Sequence, residues 1–177
     1  LSSDVFAVIV KTPPEQCMSY ATLQQADRLA WQLQQLPEVQ ATVSLADSVK
    51  QVTAGTYEGT AKWYTLSRNQ DVLNYGGQQA IQTTPDLANV ECSVMPVIAY
   101  LKDHKAATLE RVSGTVEQFI ASNPVADVTL LPAAGSAGIE SAVNQVVRKA
   151  WLEMLVYIYG VVAILCLIAF RTWRAVL

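Results

Sequence analysis

Apolar positions recur along this chain with two different periods, and the switches between them mark its elements. "DVFAVIVKT" (4–12) is rich in β-branched residues and predicts a strand. Behind it Tyr20, Leu23, Ala26, Leu29, Ala30 and Leu33 keep the spacing of one helical face, predicting a helix from Ser19 to about Leu36 that Pro37 ends. "VQATVSL" (39–45) returns to strand character. The same order comes back later. "VMPVIAYLK" (94–102) predicts a strand. Leu109, Val112, Val116, Phe119 and Ile120 predict a helix over 106–122, and "VADVTLLP" (125–132) a fourth strand. Two strand–helix–strand units, 4–45 and 94–136, read as a split βαβ arrangement: one four-stranded sheet with its helices on one face, an α+β fold.

Residues 46–93 are of a different kind. They open with helix-compatible spacing, but "QQAIQTTPDLANVEC" is polar and nearly without period, so the segment reads as an insertion that adds no core element. Its aromatic residues Trp63, Tyr64 and Tyr75 have two readings: they line a ligand surface, or they anchor a long excursion to the domain beneath.

The last stretch changes the class of protein. No residue from Met154 to Phe170 is charged, which at about 1.5 Å per residue makes roughly 25 Å of helix, and Trp151, Leu152 and Trp173 extend it to the length a bilayer core requires. Trp151, Tyr157 and Tyr159 crowd one end and Trp173 the other, as interfacial aromatic belts do, and Arg171 and Arg174 follow directly. A buried core helix has no need of either feature. The arginines predict a cytoplasmic C-terminal end and an extracytoplasmic domain before it, although Arg148 and Lys149 weaken the asymmetry. Ile139, Val143, Val146, Val147 and Ala150 carry the helical spacing upstream, so the spanning helix is expected to begin near Ile139, with Gly135 and Gly138 marking its start and Glu140 suiting its first turn. The domains are therefore 1–138 and 139–177. Composition agrees: 51% of residues are hydrophobic and only 15% charged, against roughly 25% charged in ordinary soluble domains. Leu1 and the strand that follows it at once carry no signal-peptide pattern, and the chain reads as part of a longer polypeptide.

Chemistry is sparse by comparison. A net charge of −3 with no basic block gives no footprint for nucleic acid. The one histidine, His104, stands beside Asp103 in "KDHKAA", where a solvated turn is favoured over a dyad. No metal motif, glycine-rich phosphate loop or serine elbow is present, so neither an enzyme nor a bound cofactor is expected. Cys166 lies within the predicted span. Cys17 and Cys92 fall at the ends of adjacent elements in an extracytoplasmic compartment, where a disulfide is permitted, two buried thiols being the alternative.

The segments "VIVKTPPEQC", "YATLQQADRLAWQLQQLPEVQATVSLA", "EGTAKWYTLSRNQ", "YLKDHKAATL" and "AAGSAGIESAVNQVV", followed by the span and "FRTWRAVL", together resemble the resistance-nodulation-division (RND) superfamily of proton-driven exporters. The likeness is to the branch that includes hopanoid-exporter and MmpL-like proteins, in their second large periplasmic loop and eighth membrane helix. It covers essentially the whole chain and rests on the order of segments. It implies a ferredoxin-like porter subdomain in the periplasm of a bacterium, held at the inner membrane and conveying hydrophobic or amphipathic compounds, with Trp63 and Tyr64 in the lining. The implied partners are the lipid bilayer, a small-molecule or lipid substrate, the remainder of the transporter and, in a homo-oligomer, copies of itself. The proton relay of such exporters lies in other membrane helices, and this span holds no ionisable residue to serve it. The competing class is a membrane-anchored extracytoplasmic sensor or binding module.

Overall fold

The computed structural model describes residues 4–170. Four strands, β1 (Val5–Lys11), β2 (Val39–Ser44), β3 (Val94–Leu101) and β4 (Thr129–Ala134), form one antiparallel sheet in the order β2-β3-β1-β4. Helix α1 (Tyr20–Gln34) joins β1 to β2, and α4 (Ala106–Ser122) joins β3 to β4. Because β1 and β2 both run antiparallel to β3, they are parallel to each other with β3 between them. The same holds for β3 and β4 around β1. This is the ferredoxin-like split βαβ arrangement.

Each element follows from local chemistry. In β3 intermediate and buried residues alternate along the whole strand, so Met95, Val97, Ala99 and Leu101 share one face with Phe6, Val8 and Val10 of β1. Against that face lie Leu23, Leu29 and Leu33 of α1 and Leu109, Val112, Val116 and Phe119 of α4, at the helical spacing that builds a single stripe. Ser19 caps α1, its Oγ accepting from the Thr22 N–H at 3.3 Å. Gln25, 3% exposed, donates to the Asn123 carbonyl at 2.7 Å and so satisfies an otherwise orphaned group at the end of α4. Pro96 sits in a central strand because β2 has already ended there: Ser44, its last residue, pairs with Val97.

Three boundaries differ from the sequence reading. First, residues 46–93 do contribute to the core. Helix α2 (Leu45–Thr56), capped by Ser44, and helix α3 (Gln70–Thr83), capped by Asn69, bury Leu45, Ala46, Val49, Leu73 and Ala80 in the same cluster as the sheet. The reason is two glycines. A Cβ on Gly76 would meet Val49 Cγ1 at 3.2 Å and one on Gly77 would meet Met18 Sδ at 2.0 Å, so α3 approaches this closely only where side chains are missing. The segment keeps its inserted place in chain order, but it is a packed helical pair. Second, the fourth strand begins at Thr129 instead of 125, since Asp127 takes φ +62° and Val125 only bridges Val128 in a turn. Third, helix α5 (Gly135–Phe170) starts about one turn before Ile139, directly after β4.

The chain forms two compact units divided between Ser141 and Ala142. In the first, the buried apolar residues run from Phe6 to Leu130. The second is helical. One stretch of α5, Gly138–Cys166, is long and apolar enough to cross a membrane, with a mean hydropathy of 1.6 and none of its apolar window buried. Its 29 residues correspond to about 43 Å at about 1.5 Å per residue, more than the roughly 30 Å of a bilayer core. Arg171, Trp173 and Arg174, on which the expected orientation rests, lie outside the described residues.

Candidate functional site

Apart from Trp31 of α1, the exposed aromatic residues of the first unit gather around the end of α2 and the helix that faces it. Tyr57 closes α2. Glu58 at φ +57° and Gly59 at φ +72° then reverse the backbone, and the Gly59 N–H returns to the Ala54 carbonyl at 2.8 Å. The short 3₁₀ turn Ala61–Trp63 follows and brings Trp63 back onto Tyr57, ring centroids 4.2 Å apart and planes 20° from parallel. Tyr64 turns the other way, under the Lys50 ammonium at 5.1 Å from its centroid. Lys50 is itself held by Asp27 at 2.5 Å and Asp47 at 3.0 Å. Burial pushes that ammonium down, but the hydrogen bonds to Asp27 and Asp47 and their charges outweigh it, so its pKa stands above the ordinary value.

Between α2 and α3 a cleft of about 210 Å³ opens, lined by Thr53, Thr56, Tyr57, Asp71, Val72 and Tyr75. Of the three aromatic residues singled out from the sequence, Tyr75 lies in its lining, whereas the other two stand beside it: Trp63 backs Tyr57, and Tyr64 belongs to the Lys50 cluster. All four rings remain substantially open, from 39% exposed for Trp63 to 54% for Tyr75. Sequence reasoning passed over Tyr57 and Asp71. The signals available were the Glu58–Gly59 turn, which fixes what stands at the end of α2, and the Asn69 cap, which sets Asp71 in the first turn of α3.

Cys17 and Cys92 are joined by a disulfide, their Cα atoms 5.1 Å apart. The bond sits at the end of a short run of pairing in which the Thr12, Glu15 and Cys17 N–H groups donate to the Ser93, Glu91 and Cys92 carbonyls at 2.8, 2.9 and 3.0 Å. It therefore fastens the end of the α2–α3 segment to the connection that follows β1.

The Asp103–His104 pair is not a dyad. Asp103 stands two residues ahead of Lys105, the N-cap of α4, and braces the entry to that helix, accepting from the Thr108 hydroxyl at 2.7 Å and the Lys105 N–H at 3.2 Å. Those two residues, Thr108 first, hold its carboxyl down at about 2. His104 reaches outward between two other carboxylates. Its Nδ1 is 3.0 Å from Asp4 Oδ1, and its Nε2 meets Glu140 Oε2. The Glu140 hydrogen bond, against a smaller opposing effect of burial and with help from the charges of Glu140 and Asp4, raises the His104 pKa above its ordinary value. Among the described residues no group of three His, Cys, Asp or Glu side chains is placed to hold a metal ion.

No family model matches the chain, and the comparison with curated proteins gives no match.

Proposed function

We propose that this chain is the periplasmic porter domain and adjoining membrane helix of an RND-type exporter of hydrophobic or amphipathic compounds. The observation that carries the reading is a juxtaposition in chain order: a split βαβ domain whose last strand runs without a loop into a helix that is long and apolar enough to cross a membrane, none of its apolar window being buried. A ferredoxin-like domain of an ordinary soluble protein has no use for that helix. The disulfide adds support, because such bonds persist in oxidising compartments, and the periplasm is one. Cargo recognition is assigned to the aromatic end of α2, where Trp63, Tyr64 and their neighbours offer apolar contact with few fixed polar partners.

The test has two stages. Thr60, exposed on the same turn, is replaced by Cys in a Cys166→Ala background and treated with a membrane-impermeant maleimide in intact cells. Labelling is expected without opening the inner membrane; labelling only after it is opened overturns the topology. Trp63→Ala in the intact transporter is then expected to lower export of some compounds more than others at unchanged membrane abundance. Parent rates for every compound overturn the lining role. A deletion that changes no compound's accumulation but abolishes a transcriptional response establishes the sensor reading in place of the exporter.

A further inference from the structure

The cleft between α2 and α3 is apolar in a particular way. Thr53 and Thr56 have spent their hydroxyls, which donate to the Val49 and Val52 carbonyls one turn back at 2.8 and 2.9 Å. What remains in the lining is Val72, two tyrosine rings and one charge, the Asp71 carboxylate. Asp71 uses its backbone N–H on the Asn69 cap, and its carboxylate enters no ion pair among the described residues.

The surrounding aromatics sharpen the contrast. Tyr64 has Lys50, Trp63 has Lys62 at 5.8 Å and Tyr20 has Arg68 at 5.8 Å, each a cation from the chain itself. Tyr57 and Tyr75, the rings that wall the cleft, have none among the described residues. Trp63 stacks on Tyr57 and holds that wall in place. An aromatic pair and a carboxylate without a counter-ion thus converge on one small apolar space. A ring's negative face and a carboxylate both attract a cation, and an apolar wall favours one whose charge is sheathed in methyl groups.

We propose that this cleft is a binding site for a quaternary or alkylated ammonium group. Its volume, about 210 Å³, is below the roughly 300 Å³ at which pockets for whole drug-sized ligands begin. It takes a cationic head and leaves any long tail outside. The site stands on its own geometry and does not depend on the transport reading.

The purified full chain, in a neutral maltoside detergent, is titrated with choline and with its uncharged isostere 3,3-dimethylbutan-1-ol at constant ionic strength, binding being followed by ligand-observed NMR. Choline is expected to bind about tenfold more tightly than the alcohol, the margin that a cation–π contact with an adjacent carboxylate supplies. Asp71→Asn is expected to weaken choline severalfold and leave it only slightly ahead of the alcohol, the remaining margin being that of the two ring faces. Tyr75→Ala should weaken choline severalfold, while Tyr75→Phe, which keeps the ring face, should not. Equal binding of the two probes by the parent chain, an unchanged choline affinity in Asp71→Asn, or no saturable choline signal each overturns the site. The comparison of the two probes needs no variant, so a substitution that fails to fold does not spoil the test.

Discussion

At the scale of single residues, two devices tie distant parts of the first unit together. Cys17 and Cys92 are 75 residues apart, and closing a loop of that length is worth about 4 kcal/mol by the chain-entropy argument. Cys17→Ala/Cys92→Ala, or the parent under reductant, is expected to lose stability of that order in urea melts. A change below about 1 kcal/mol would place the strain of the bond on a level with its entropic benefit. His104 is the second device. Both of its ring nitrogens face carboxylates, Asp4 and Glu140, so the doubly protonated imidazolium suits the site best, and its pKa is raised above 6.5. A raised folded-state pKa contributes stability that is complete below the unfolded value and fades as the pH climbs through the folded one. Stability of the parent is therefore expected to fall as the pH climbs above the ordinary histidine value of 6.5, and His104→Gln should flatten that slope. Parallel slopes in the two proteins would remove His104 from the account.

At the scale of elements, the α2–α3 pair is the part that sequence periodicity misjudged, and glycine is the reason. A glycine is scored as a helix weakener of about 1 kcal/mol when it is judged alone. In α3, Gly76 and Gly77 serve the opposite end, since their missing side chains let the helix close on Val49 and Met18. Gly77→Ala is expected to destabilise by about 1–3 kcal/mol through overpacking against the buried Met18. The same substitution in a Met18→Ala background should cost measurably less, because the obstructing thioether is gone. Gly114→Ala in α4, where an added Cβ meets nothing within 4 Å, should instead stabilise by about 0.5–1 kcal/mol. Urea melts of the four variants check all of this, and equal effects at 77 and 114 would deny the close approach.

At the scale of the whole molecule, the two compact units make opposite demands on solvent. Residues 4–141 bury their apolar side chains against one sheet face, whereas Trp151, Ile158, Val162 and Leu165 of α5 are all more than half or about half exposed. A chain ended at Ser141 is expected to remain in the aqueous phase of a detergent phase separation, with the far-UV spectrum of a folded α+β domain, and the full chain to enter the detergent phase. Aqueous partition of both would deny α5 a membrane role.

What the sequence alone determined follows from period and length. The four strands, helices α1 and α4, and the apolar span are legible because burial on one side imposes a repeat of two or of about three and a half residues, and a bilayer imposes a length. The strand order β2-β3-β1-β4, the packing of α2 on α3, the partners of His104 and the aromatic cleft were decided by the tertiary structure. Each depends on residues far apart in the sequence being brought side by side by the folded backbone. The space left at Gly76, or the second carboxylate at His104, exists only once distant backbone has arrived there.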